Sequence, residues 1–278
     1  YGAMTMRNAV AHSNNVVAVL AADKVGMSNV LDLAEKMGIT TLDKKGDDNL
    51  AVALGGLTKG VTPIDMAVAY GVLANNGVKV KPVAITKIVD RNNNIVEESS
   101  IEETRVVEPK YAYIMTNMLE SVIKYGTCGN AYFGRPAAGK TGTTDEEKDA
   151  WFAGYTPDLV TVVWMGDDSG SETLHGTTGA QTPAIIWRQY MQAALADTPA
   201  SNFTVPDGVG PEAYAGNTNP ATDKKKDDKD KKDKDKKDGD GDLDNDDGTT
   251  SNDESPSKSK SNKGKDPVIA PKSSKSSQ

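Results

Sequence analysis

The chain has 278 residues, of which 37% are hydrophobic and 26% charged, and a formal net charge of −8 at pH 7. That balance offers no basic face for nucleic acid, and a single cysteine, Cys128, excludes an internal disulfide framework while leaving the compartment open. No apolar run approaches the ~20 residues needed to cross a bilayer. No leader opens the sequence, but Tyr1 is not an initiator methionine, so that absence says little about the parent protein, in which any anchor would lie upstream.

In chain order, residues 5–11 read as the end of a helix running into a loop at Ser13, and residues 16–25 as a short apolar helix after it. Ser28 is placed to cap a helix in which Val30, Ala34 and Met37 recur at helical spacing, and Gly38 to end it. Leu54-Gly55-Gly56 marks a loop. Thr62-Pro63, cap then first residue, opens a helix through Ile64 and Val68 to Asn75-Asn76-Gly77. Residues 83–89 and 95–98 flank Asp90-Arg91-Asn92-Asn93-Asn94 as a hairpin. Pro109 opens a helix reaching Tyr125. The run through Lys140-Thr141-Gly142, residues 150–155 and residues 159–165 are β-rich, the last two joined at Thr156-Pro157-Asp158. Thr182-Pro183 starts a last helix through Ala196. Helices, then a three-strand antiparallel meander, then a helix able to cover it predict an α+β fold with an all-helical lobe.

Only residues 1–198 have the composition of a packed core. Residues 199–222, rich in Pro, Gly, Asn and Thr, read as a linker. Residues 223–278, first Lys and Asp and then Ser, Lys, Asn and Pro, are expected to be a disordered charged tail, because they cannot bury enough apolar area to offset their ordering entropy. Asp242, Asp244 and Asp246 imitate a calcium loop, but Asp247 stands where the turn needs glycine.

Two short motifs carry chemistry. His12-Ser13-Asn14-Asn15 contains Ser-x-Asn, and Gly139-Lys140-Thr141-Gly142-Thr143-Thr144 contains Lys-Thr-Gly. Taken alone, Ser13 and Asn15 read most simply as loop residues capping the following helix, and Lys140 as a solvated lysine at a strand end. Their context changes the balance. The stretch from Ala150-Trp151-Phe152-Ala153-Gly154-Tyr155-Thr156-Pro157 to Val163-Trp164-Met165-Gly166-Asp167-Asp168 resembles the transpeptidase domain of class A (bifunctional) penicillin-binding proteins. So do Asn8 to Asn15, Ala53-Leu54-Gly55-Gly56, Thr62 to Ala67, and Tyr70 to Gly77, in the same order.

The resemblance covers residues 1–196 and implies the penicillin-binding transpeptidase and serine β-lactamase-like fold with its N-terminal part missing. It implies acyl transfer: a serine attacks a D-Ala-D-Ala stem peptide, and a neighbouring amine takes the acyl group, cross-linking peptidoglycan. By resemblance Ser13 relays a proton, Asn15 hydrogen-bonds the substrate peptide and Lys140 supplies positive potential. Thr141 and Thr143 hold the terminal carboxylate, Gly142 lets substrate backbone approach, and the Thr143 amide gives one oxyanion donor. Partners so implied are stem peptides and β-lactam antibiotics, at the outer face of a bacterial membrane, in a parent that also carries a glycosyltransferase. No cofactor and no metal are implied.

The family's Ser-x-x-Lys nucleophile motif precedes Ser-x-Asn, so it is expected upstream of Tyr1, leaving the fragment inactive alone. Ser121-Val122-Ile123-Lys124 matches it literally but in the wrong chain order, and is rejected. After it Gly126-Thr127-Cys128 departs from the family's Gly-Thr-Gly turn; Cys128 reads as an incidental thiol. His12 beside Ser13 is discounted as a catalytic base because adjacent side chains rarely face each other, and His175 reads as a loop residue. Two alternatives stay open: a β-lactamase-like hydrolase, and a non-catalytic wall-associated scaffold.

Overall fold

A computed structural model describes residues 2–210 of the chain. The linker beyond residue 210, the charged tail and the calcium-loop reading at Asp242–Asp246 lie outside the described residues.

Three helices open the fold: α1 (Met6–Ala11), α2 (Asn15–Val25) and α3 (Met27–Met37). Thr5 caps α1 by accepting from the Asn8 amide, and Asn14 caps α2 by accepting from the Val17 amide at 3.0 Å. The expected cap at Ser28 is corrected. Gly26, at φ 88°, ends α2 and begins α3 in a single residue, so Ser28 falls within the first turn. Only glycine enters that backbone region at no steric cost. Gly38 stops α3 in the left-handed conformation, as the sequence predicts.

A 3-10 turn (Leu50–Leu54) leads to α4 (Pro63–Ala74), where the Thr62 hydroxyl accepts from the Asp65 amide at 3.1 Å and Pro63 opens the helix. Next come β1 (Val78–Val80), the hairpin strands β2 (Lys87–Val89) and β3 (Ile95–Glu98), and β4 (Glu103–Arg105). β1 pairs with β4 and β2 with β3, all antiparallel. The hairpin is shorter than residues 83–89 predict, with a register shift between Ile88 and Val89 and both faces exposed. Asp90 closes its turn, its carboxylate accepting from the Asn92 and Asn94 amides at 2.8 Å each.

The core lies in the last part: α5 (Pro109–Lys124), β5 (Ala138–Thr143), β6 (Asp149–Tyr155), β7 (Val160–Gly166) and α6 (Thr182–Ala194). The strands form an antiparallel sheet in the order β5-β6-β7, with β5 at an edge. Phe152 turns to one face, against Trp187 of α6, whose indole N–H also reaches the carbonyls of Gly154 and Thr161 at 3.2 and 3.1 Å. Gly154 keeps that approach open; a Cβ there would stand 2.9 Å from the Trp187 ring. Tyr155 turns the other way, its hydroxyl bonded to Thr116 of α5 at 2.9 Å and its ring edge-on to Tyr70 of α4. The sheet is thus enclosed between α6 and the pair α4 and α5. Residues 199–210 carry no regular structure, yet Phe203 packs on the Tyr155 ring and Ser201 donates to Asp158. Among the described residues no helix is long and apolar enough to cross a membrane.

Candidate active site

The α1–α2 connection is tight enough to force Ser13 into the left-handed region at φ 52°, a conformation costing a non-glycine residue about 1 kcal/mol or more. Its neighbours hold it there: the Ser13 amide donates to Val10 and the Asn14 amide to Ala9. Asn14 supplies the helix cap, so neither Ser13 nor Asn15 is consumed in capping. The bland reading of Ser13 and Asn15 as caps fails on that geometry.

This turn is tied to α5 at two points. Arg7, buried on α1, donates to the Asn117 carbonyl and side chain and to Ser121 Oγ at 2.8 Å. The Thr127 amide donates to the Ala11 carbonyl at 2.9 Å. Gly126 permits that contact, since a Cβ there would meet the same carbonyl at 2.2 Å. Thr127 then bridges to β5, its hydroxyl 3.2 Å from that of Thr141.

Across the cleft, Lys140 Nζ donates to Ser13 Oγ at 2.8 Å and to the Thr141 carbonyl at 3.0 Å. Burial pushes the Lys140 ammonium down from 10.5 to about 8, against a smaller opposing pull from Cys128. Cys128 itself is fully buried, and burial raises its thiol to about 11, which makes it a poor nucleophile. Ser121 is buried with Arg7 on its hydroxyl, while Lys124 points out to pair with Glu120 at 3.0 Å. The literal Ser-x-x-Lys therefore brings no serine and lysine together.

Ser13, Asn15, Lys140, Thr141, Gly142 and Thr143 all line one cleft of about 790 Å³. Its floor is apolar, formed by Met66 and Tyr70 of α4 and Met115 and Leu119 of α5; burial there pushes the Tyr70 phenol up to about 12. The cleft opens along the edge of β5. Gly142 pairs with Trp151, and the exit of the strand is fixed by Asp149, which binds Thr144 and accepts from the Trp164 indole at 2.8 Å. His12 is exposed near Tyr125, and His175 lies in the 167–181 loop; neither touches Ser13 or Lys140 through a hydrogen bond. Among the described residues no cluster of His, Cys, Asp and Glu is arranged to hold a metal ion.

The sequence reading missed two contributors. Thr127 lay inside the flagged Gly126-Thr127-Cys128 segment, and Gly179 lay inside the Gly- and Thr-rich 173–181 run. The Gly179 amide donates to Thr143 Oγ1 at 3.1 Å.

Comparison with known proteins accords with this geometry. Residues 1–191 match the family described as the penicillin binding protein transpeptidase domain. The chain is 38% identical over 221 residues to penicillin-binding protein 1A of Aquifex aeolicus, covering 79% of this chain and 29% of that protein. It is 34% identical over 199 residues to penicillin-binding protein 1F of Bacillus subtilis, covering 69% of this chain and 27% of that protein. The chain thus spans less than a third of the length of these relatives. Its fold is similar to penicillin-binding protein 1A from Haemophilus influenzae, with a TM-score of 0.67 and 26% identity over 73% of this chain and 36% of that one. It is also similar to PonA1 from Mycobacterium tuberculosis in complex with penicillin V, at 0.64 and 29% over 76% of this chain and 61% of that one. The chain carries a serine–lysine hydrogen bond facing an open strand edge, and by the family match over residues 1–191 it belongs to the penicillin-binding protein transpeptidase domain family.

Proposed function

We propose that this chain is the C-terminal part of a peptidoglycan D,D-transpeptidase, and the observation that carries the reading is the Lys140–Ser13 hydrogen bond at the edge of β5. Because Lys140 donates to Ser13 Oγ, the hydroxyl proton of Ser13 is turned away from the lysine and is free to move to a leaving amine. A serine from upstream of Tyr1 attacks the penultimate D-Ala carbonyl, forming a C–O bond as the C–N bond to the terminal D-Ala breaks. Its proton passes through Ser13 to that amine. An acceptor amine then attacks the ester, forming the cross-link and returning the serine.

Lys140 lends positive potential, Thr141 and Thr143 bind the terminal carboxylate, Asn15 holds the donor peptide, and the Thr143 amide faces the oxyanion. Gly142 leaves room for an extended ligand along the strand edge. The apolar floor of Met66, Tyr70, Met115 and Leu119 is suited to the segment that bears the nucleophile. β-Lactams occupy the same cleft as acylating mimics. Residues 1–198 form this transpeptidase portion, and the parent, anchored upstream on the outer face of a bacterial membrane, also carries a glycosyltransferase.

The test is labelling of the natural full-length protein with fluorescent penicillin, followed by peptide mapping. An adduct on a serine upstream of Tyr1, with none on the isolated chain, is the expected result. An adduct on Ser121 or no adduct overturns the reading.

A further inference from the structure

We propose that Gly179 is a positioning residue whose backbone amide turns the Thr143 hydroxyl proton into the cleft, toward the carboxylate of the ligand; the proposal rests on the transpeptidase reading of the site. The Gly179 N–H can only donate, so Thr143 Oγ1 must accept at their 3.1 Å contact. With one lone pair so occupied, the hydroxyl proton points elsewhere, and the side of Thr143 that remains open is the cleft it lines. A hydroxyl already oriented by a fixed donor loses no rotational freedom when an anion arrives, and its own donation is strengthened by the one it accepts.

The backbone around Gly179 is arranged for this approach. The 167–181 loop crosses the Gly142–Trp151 pair so closely that a Cβ at Gly179 would lie 2.2 Å from the Trp151 carbonyl and 2.6 Å from that of Gly142. No side chain fits there without moving the loop. The same loop is strapped to the exit of β5 by Glu147, whose carbonyl accepts from the Leu174 amide at 2.8 Å and whose carboxylate accepts from the Gly176 amide. His175, between those anchors, is held at φ 45°, so the strap resists an unfavourable backbone conformation as well as loop motion.

A double-mutant cycle on the full-length protein tests the assignment, read as the second-order rate of acylation by benzylpenicillin. Gly179→Ala is expected to lower that rate about tenfold, the size of one lost hydrogen bond to a charged ligand. In a Thr143→Val background the same change is expected to have no further effect, since the hydroxyl it orients is gone. The penicillin methyl ester, which lacks the anion, is expected to react equally with Gly179→Ala and the natural protein. Glu147→Ala, which removes the carboxylate anchor at the Gly176 amide and so loosens the strap without crowding the strand, is expected to show the same dependence on Thr143 should Gly179→Ala fail to fold. Equal losses in both backgrounds, or equal losses with acid and ester, overturn the proposal while leaving the site reading intact. A natural protein that penicillin does not acylate overturns the site reading itself.

Discussion

Lys140 joins most of the chemistry of the site in one side chain, and its charge is the property most open to measurement. Burial lowers its folded-state pKa from 10.5 to about 8, so the lysine is cationic below about 8 and neutral above. On the transpeptidase reading acylation by penicillin draws on that charge, and its rate is expected to fall as pH rises through about 8. Stability moves the other way. Between 8 and 10.5 the unfolded chain binds the proton that the folded chain has released, so stability rises with pH across that window. Denaturant titrations at pH 8 and 10.5 should show this gain for the natural chain and not for Lys140→Met. Thr127 offers a cleaner substitution, because Thr127→Val keeps the shape and deletes only the hydroxyl facing Thr141. We expect Thr127→Val to lower the penicillin acylation rate by about threefold to tenfold, and Thr127→Ser to restore most of it. The sequence showed Lys140 and Ser13 as motif residues because their chemistry needs those side chains. It hid Thr127 and Gly179, whose contribution comes partly or wholly through a backbone amide that any residue possesses.

At the scale of elements, α5 organises the site although it contributes no polar group to it. It carries Asn117 and Ser121 to Arg7 of α1, and its C-terminal turn carries Thr127 to the Ala11 carbonyl. Removing the guanidinium takes the charged donor from the buried Ser121 hydroxyl and unpins α1 from the half-buried Asn117. Arg7→Ala is expected to cost about 2–4 kcal/mol in urea unfolding, with the Ser13 turn loosened along with α1. The start of α4 was legible because Thr62 makes its cap and Pro63 follows it, whereas at α2 the capping side chain is Asn14, between the two residues the sequence offered for that role. The start of α3 was not legible at Ser28, where a backbone-only junction at Gly26 took precedence. β1 and β4 escaped detection because each has three residues and their partners lie on either side of an intervening hairpin. The meander of β5, β6 and β7 was readable because its strands are longer, follow one another and pair with their sequence neighbours.

For the molecule as a whole, the site exists only once the chain has closed on itself, since Ser13 and Lys140 are 127 positions apart. The stability that holds them together resides in the layers around Phe152, Tyr155 and Trp187. Native-state hydrogen exchange should therefore find the amides of β6 and α6 slowest, and those of the exposed β2–β3 hairpin exchanging first. Early protection in the hairpin would contradict this distribution. The position of β5 at the rim of its sheet has a further consequence for colloidal behaviour. Among the described residues its outer row of backbone groups has no strand partner, and an unpaired row of this kind is a template for an extended chain. On the transpeptidase reading, ligand capture and edge-to-edge pairing draw on one surface, so a ligand that fills the cleft is expected to slow aggregation of the protein, as light scattering would show.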